Sequence, residues 1–295
     1  MWVIQYQKKN HLTVGRDRFG KKPLFYTLTD GGYIFASEMK ALYPYLDTVS
    51  PNIEINKFFK NPFDYESSKI TCIEGIYSVI PGTILKLHGT VVDESRWWNT
   101  LENLVNVPSN YEDQVDQFRN LFLNAVKIRM RSDVPIGTAL SGGLDSSAVF
   151  CSMLHLIENG ETSSFTPQAF IAHYPGSDID ELDWAMLAVG DRKDLLNVVE
   201  VNPLDNNYAL EKALYQVEDP YITLPLPMLA TYKAIKKSGI SVTLDGHGAD
   251  EMFSGYNDLF LAMLSSDVVS LQEVNAISKS LNTGVMPRNV SKIRL

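Results

Sequence analysis

The chain has 295 residues, 45% of them hydrophobic and 21% charged, with a formal net charge of -9. That balance suits a globular protein of one large or two ordinary domains. It disfavours a general binder of nucleic acid or anionic membrane, whose phosphates call for lysine and arginine. Met1-Trp2-Val3-Ile4-Gln5 lacks the basic-then-apolar order of a signal peptide, and no apolar run is long enough to span a bilayer. The two cysteines, Cys72 and Cys151, read as reduced thiols, so a cytoplasmic protein without a disulfide framework is expected, with Cys151 in the core.

The first hundred residues read as β-rich. Val3–Tyr6 and His11–Val14 are short apolar segments, the second leading into Gly15-Arg16-Asp17. Leu24-Phe25-Tyr26 and Tyr33-Ile34-Phe35 flank Asp30-Gly31-Gly32, a hairpin signal. Glu38–Leu46 suggests a short helix. Ile76–Ile80, Pro81-Gly82, Thr83–Leu87 and His88-Gly89 give strand, turn, strand and turn, and Trp97-Trp98 closes this part. Leu101–Asn110 is polar, contains Pro108 and lacks periodicity. It is placed as a domain boundary, a surface loop within one domain being the alternative.

Beyond it the period changes. Glu112–Met130 sets Val115, Phe118, Phe122, Ala125 and Ile128 on one face, the mark of an amphipathic helix. Strands at Ile136–Leu140, Ala169–Ala172, Leu196–Val201 and Ile240–Leu244 then alternate with helices at Asp145–Ile157, Asp180–Val189, Leu204–Val217 and Pro227–Lys237. Such alternation implies an α/β domain with a parallel sheet.

Parallel sheets bind ligands at the carboxyl ends of their strands. Two loops fall there. Ser141-Gly142-Gly143-Leu144-Asp145-Ser146-Ser147 joins a strand to a helix. Its glycines allow close backbone approach, its serines add donors, and the helix start offers unpaired N–H groups to a phosphate. Asp145 beside a phosphate makes sense if it holds Mg2+. The loop lacks the Lys-Ser/Thr ending of a Walker A loop, so a grip on leaving pyrophosphate is expected; an ordinary capped turn is the alternative. The second loop is Asp245-Gly246-His247-Gly248-Ala249-Asp250-Glu251. Here Asp250 and Glu251 either complete a metal site with Asp145 or cap a helix.

These loops resemble the synthetase domain of the glutamine-hydrolysing asparagine synthetases, a pyrophosphate-loop ATPase family. Ser132–Gly137, Pro175-Gly176 with Asp180-Glu181, Glu218-Asp219-Pro220, and Gly248–Glu251 followed by Gly255-Tyr256 also match its pattern. Gly15–Gly20, Lys22–Tyr26 and Phe35–Leu42 resemble the later half of its class II amidotransferase domain, an N-terminal-nucleophile fold. The resemblance implies a partial amidotransferase domain over residues 1–105 and an incomplete synthetase domain over residues 111–295. It implies that ATP activates the aspartate side chain as an acyl-adenylate, which ammonia from glutamine converts to asparagine. By matched position, Leu140 and Ala172 would border the adenosine, and Gly246 would contact the nucleotide. Ser141, Gly142, Gly143, Asp145, Ser146 and Ser147 would hold pyrophosphate, and Asp145 and Asp250 would hold Mg2+. Asp17 would contact glutamine, a structural ion pair with Arg16 being the alternative.

The sequence also departs from the family. Met1-Trp2-Val3-Ile4 aligns with a strand inside the amidotransferase domain, so the nucleophilic cysteine has no counterpart and no glutaminase activity is expected. Neither Lys279 nor Lys292 is assigned the family's downstream catalytic lysine; a chain truncated at both ends is expected. His247 stands where some members have a glutamate, and either takes part in proton transfer or is a plain loop residue. Asp245 replaces a common serine. An amide ligase for another carboxylate, or a catalytically silent ATP-binding protein, is therefore kept beside the asparagine-forming reading. The expected partners are small molecules (ATP, aspartate, glutamine or ammonia) and a second copy in a homodimer, with no nucleic acid and no membrane.

Overall fold

By its internal contacts the chain divides into two units, residues 1–115 with 203–229 and residues 116–202 with 230–295. The computed structural model describes residues 2–6, 11–56, 59, 65, 68–89, 91–162, 165–201, 210–219 and 226–253. Pro220, Gly255, Tyr256, Lys279, Lys292 and the start of the expected helix Leu204–Val217 lie outside the described residues.

In the first unit the strands are β1 (Trp2–Tyr6), β2 (His11–Gly15), β3 (Phe25–Thr29), β4 (Gly32–Ala36), β5 (Tyr77–Ser78), β6 (Thr83–His88) and β7 (Val91–Arg96). They form two antiparallel sheets, in the orders β1-β2-β6-β7 and β4-β3-β5. The hairpin expected around Asp30-Gly31-Gly32 is the β3–β4 pair, with Thr29 opposite Gly32. Val14, Leu24, Val79, Leu85 and Leu87 form a buried cluster. Tyr26 packs among Tyr33, Phe35 and Tyr77, and its burial pushes the phenol up to about 12.

Two expectations for this unit are revised, and one strand was not foreseen. Glu38–Leu46, expected as one short helix, is helical as two 3-10 turns, Met39–Ala41 and Tyr43–Tyr45. Pro44 has no N–H for a helical ladder, and Leu42, between the turns, caps both. The strand expected at Ile76–Ile80 shrinks to β5: Val79 N–H still donates to Leu24 O, but the Val79 carbonyl accepts the Arg16 guanidinium at 2.6 Å. Strand β7 went unread, since Val91-Val92-Asp93-Glu94-Ser95-Arg96 is an exposed edge strand with no apolar alternation.

In the second unit β8 (Ile136–Ala139), β9 (Gln168–His173), β10 (Leu196–Glu200) and β11 (Val242–Thr243) form one parallel sheet in the order β10-β9-β8-β11. The helices, in chain order, are α1 (Tyr111–Arg129), α2 (Leu144–Glu158), α3 (Leu182–Val189), α4 (Leu210–Val217), α5 (Leu226–Lys237) and α6 (Ala249–Phe253). Of these, α4 falls in the first unit, and α1 and α5 run across the division. Ala169, Phe170 and Ile171 of β9 are all buried. Ala169 and Ile171 join α2 and α3 residues in one cluster, and Phe170 joins Ile235 of α5 and Ile240 in another. A strand covered on both faces carries a continuous apolar run, as here.

The packed face of α1 also differs from its expected stripe. Val115, Phe118 and Ile128 are exposed, whereas Val126 and Met130 are buried with Phe122 beside them, packed on Val149, Met153 and Leu156 of α2. Cys151 is exposed on α2 rather than in the core, and both cysteines are free thiols.

Candidate nucleotide site at the strand ends

In chain order the parallel strands are arranged third, second, first, fourth. Such a sheet reverses direction of winding between its first and fourth strands, and the crevice there is where open α/β sheets take ligands. Strands β8 and β11 flank that point, with Ile136 opposite Val242 and Gly137 opposite Thr243. The Ser141 loop leaves β8 and the Asp245 loop leaves β11, so the topology brings the two sequence loops together.

The Ser141 loop is held by its own side chains. Ser141 N–H donates to Ser146 Oγ at 3.2 Å, the two hydroxyls lie 3.0 Å apart, and Gly143 N–H donates to Ser141 Oγ at 3.3 Å. Ser146, buried, is thus engaged in shaping the loop. Ser147 Oγ is buried with no hydrogen-bond partner in the structure. Gly142 has φ 80°, and a Cβ there would stand 2.5 Å from Trp184 C and Ala185 N, so the loop lies directly on the first turn of α3. Gly143 caps α2 without a side-chain hydrogen bond to the helix. The opening N–H groups of α2 have no intrahelical acceptor, and the positive end of the helix dipole lies among them. This is the backbone arrangement that suits a phosphate.

The second loop is seated on the first. A Cβ on Gly246 would come within 2.8 Å of Ser146 N and 2.9 Å of Asp145 C, leaving room only for glycine. Asp250 and Glu251 lie in the first turn of α6. Burial pushes the Asp145 carboxyl up, and the charges of Asp250 and Glu251 push it further. Among the described residues no group of three or more side chains is arranged to hold a metal ion unaided. Magnesium in nucleotide sites ordinarily takes one or two carboxylates and completes its shell with phosphate oxygens and water. Three acids whose mutual repulsion is felt at Asp145 suit a cation that arrives with a polyphosphate. His247 is exposed. Leu140 is buried beneath the loop and Ala172 lies near the end of the adjoining strand β9.

Two neighbouring carboxylates have partners that the sequence did not reveal. Asp245 Oδ1 accepts the Ala139 N–H at 2.7 Å, and Oδ2 accepts the hydroxyls of Tyr232 at 2.7 Å and Thr243 at 2.8 Å. At the end of β9, His173 Nδ1 lies 2.8 Å from Asp180 Oδ2, while Asp180 Oδ1 accepts the Tyr174 N–H at 3.1 Å. Burial pushes the Asp180 carboxyl up, but the Tyr174 N–H and His173 outweigh it and hold it low. The Asp180-Glu181 pair was visible as a motif; its partner His173 was not.

In the first unit, Asp17 does not pair with Arg16. Its carboxylate accepts the N–H groups of Lys21 and Lys22 at 2.8 and 3.0 Å, and Arg16 donates to Ser78 Oγ and to the carbonyls of Gly20, Lys22 and Val79. The Glu218-Asp219 motif is likewise tied into this unit. Glu218 accepts the N–H groups of Met39 and Lys40 at 2.9 and 2.7 Å and pairs with Lys40 Nζ at 3.2 Å. Tyr65 donates its hydroxyl to Asp219 at 2.7 Å, and Cys72 donates to Glu218 O at 3.2 Å.

A family model described as "Asparagine synthase" matches residues 117–293, and one described as "Glutamine amidotransferase domain" matches residues 1–98. An amidase (chry2) of Gibberella zeae is 29% identical over 276 residues, covering 87% of this chain and 39% of its own length. Asparagine synthetase [glutamine-hydrolyzing] 1 of Bacillus subtilis is 29% identical over 259 residues, 85% of this chain and 39% of its own. Asparagine synthetase [glutamine-hydrolyzing] 3 of Arabidopsis thaliana is 31% identical over 263 residues, 86% of this chain and 40% of its own. The chain thus spans about four-tenths of the length of the relatives it matches.

Proposed function

This chain belongs to the asparagine synthase family, and from that premise we propose that it carries the ATP-using centre of an AMP-forming amide ligase. An oxygen of the acceptor carboxylate attacks the α-phosphorus of ATP, and pyrophosphate leaves. Ammonia then attacks the acyl carbon of the acyl-adenylate, releasing AMP and a proton and leaving the amide. ATP is a substrate in this scheme. The acceptor is the aspartate side chain, with glutamine as the source of ammonia in the whole protein.

The observation that carries this reading is the seating of Gly246 on the Asp145–Ser146 turn across the β8–β11 crevice. It sets the start of α2 beside an acidic loop, which supports an anion and a cation bound together there. In this assignment Ser141, Gly142, Gly143 and the opening N–H groups of α2 hold the pyrophosphate, with Ser146 keeping the loop in shape and Ser147 beneath it. Asp145 and Asp250 hold Mg2+, which supplies charge neutralisation on the phosphates. Leu140 and Ala172 border the adenosine, Gly246 contacts the nucleotide, and His247, exposed on the loop, takes part in proton transfer. Asp17 contacts glutamine in the whole protein, its carboxylate being oriented by the N–H groups of Lys21 and Lys22. The domains are assigned as residues 1–105 and 111–295, and the protein as a cytoplasmic homodimer that binds neither nucleic acid nor membrane. No helix among the described residues is long and apolar enough to cross a membrane.

A second reading has specific support. Relatives named as amidases match as well as those named asparagine synthetases, and Asp245 and His247 stand where a serine is common and where some members have a glutamate. It keeps the chemistry and changes the acceptor to another carboxylate. Pyrophosphate release from the chain with ATP, Mg2+, ammonium and either aspartate or a panel of other carboxylic acids decides between them. Aspartate-dependent release supports the first reading and release with another acid the second. ATP binding without release under any acid defeats both in favour of a silent nucleotide-binding protein.

A further inference from the structure

Asp245 sits at the point where β11 leaves the sheet. Leu244 N–H donates to Gly137 O at 2.9 Å, continuing the pairing of Val242 with Ile136 and Thr243 with Gly137. The next β8 donor, Ala139 N–H, is met by a side chain instead of main chain, Asp245 Oδ1 at 2.7 Å. The other oxygen takes two hydroxyls, one from Tyr232 on α5 and one from Thr243 in β11. One carboxylate therefore ties together two strands and a helix, and its charge is met by three donors. A buried donor left without an acceptor is costly, so this arrangement is strongly specified. The next residue is Gly246, backed against Ser146 N and Asp145 C.

We infer that Asp245 is a positioning residue of the nucleotide site. Its carboxylate substitutes for a main-chain acceptor of the sheet, so the chain peels away from β8 and the crevice opens. The same bonds fix the height of Gly246 over the Asp145–Ser146 turn. Asp245 thus acts through Gly246 on the gap that receives the nucleotide, and its own charge is withheld from the phosphates. The inference rests on the reading of the Ser141 loop as an ATP site. Among the acids around the crevice it separates one structural carboxylate, Asp245, from three whose charge remains for a cation, Asp145, Asp250 and Glu251.

The test measures Mg-ATP affinity by calorimetry, and Ala139 amide exchange by hydrogen–deuterium exchange, on the whole chain. Asp245→Ala is expected to lose about tenfold or more in affinity, since small displacements of a binding group are expensive. Ala139 loses its exchange protection while the amides of β9 keep theirs. Asp245→Asn, which keeps an acceptor for Ala139 N–H, restores most of the affinity and the protection. Should Asp245→Ala fail to fold, Tyr232→Phe takes its place, with an expected loss of about threefold or more. Wild-type affinity in folded Asp245→Ala, or in Tyr232→Phe, overturns the positioning role and leaves the ATP reading standing. Equal losses in the Ala and Asn variants also overturn it, because charge and not position would then be at work. If the unaltered chain binds no Mg-ATP, the ATP reading itself falls.

Discussion

Gly246 and Ser146 meet backbone to backbone: a Cβ on Gly246 would stand 2.8 Å from the Ser146 amide nitrogen. Backbone cannot swing aside as a side chain can. Gly246→Ala is therefore expected to push the loops apart, at a cost of about 1–3 kcal/mol, and to weaken Mg-ATP binding about tenfold or more. Gly142→Ala meets the Trp184–Ala185 backbone at 2.5 Å in a left-handed conformation and is expected to do at least as much harm. Calorimetric affinities near wild type for both variants would sink the two-loop site.

The crowding of acids gives a paired prediction. Asp145 is raised by burial, then by Asp250 and Glu251, so ionising it works against the empty fold. A carboxyl with a raised folded-state value favours the fold when protonated and disfavours it as pH rises through that value. Glu251→Gln is expected to raise the melting temperature of the nucleotide-free chain at pH 7, with the gain fading toward pH 4. The same variant is expected to bind Mg-ATP more weakly. A lower melting temperature at pH 7 would show that the acids do not repel one another.

Asp180 carries the opposite sign. Burial raises it, but the Tyr174 N–H and His173 hold it below the ordinary carboxylate range. The stability it contributes is present above the ordinary aspartate value of about 3.9 and is lost as pH falls through the lowered value. Asp180→Asn is thus expected to be less stable than wild type at pH 6, with the two converging in strong acid. Urea unfolding at a series of pH values reads this directly; a constant difference at all pH values would refute the charge argument.

Glu218 is held with φ 64°, the positive-φ non-glycine position among the described residues, and its carboxylate is nearly buried on the N–H groups of Met39 and Lys40. Bonds to a charged acceptor are worth about 1.5–3 kcal/mol. Glu218→Gln should lose about that amount, and Glu218→Gly should recover part of the backbone strain while losing the carboxylate contacts. Unfolding followed by Trp97 and Trp98 fluorescence reports on the unit that contains them. Unchanged stability in Glu218→Gln would mean that the bonds to Met39 and Lys40 contribute nothing net.

The second unit was largely legible because its signals are local. Strand, glycine turn and helix follow one another at Ala139–Asp145, and the buried run Ala169-Phe170-Ile171 announces a strand covered on both faces. The misread features depend on partners far along the chain. The α1 stripe looked like Val115, Phe118, Phe122, Ala125 and Ile128, but contact with α2 selects Phe122, Val126 and Met130. Met39–Ala41 takes its 3-10 form beside a carboxylate from Glu218, which no local propensity encodes. Asp245 looked like a loss of a familiar serine until Ala139, Tyr232 and Thr243 were seen around it.

The chain passes from one unit to the other three times, since residues 203–229 return to the first unit after residues 116–202 have built most of the second. A gene cut at the boundary read from sequence, near Leu101–Asn110, would separate the Glu218 carboxylate from the Met39 and Lys40 amides it serves. Each product would carry half of a joint. Co-expressed halves are therefore the more productive preparation, and an insertion or fluorescent tag is better placed at the Gly160 turn than in the stretch that ends at Glu218.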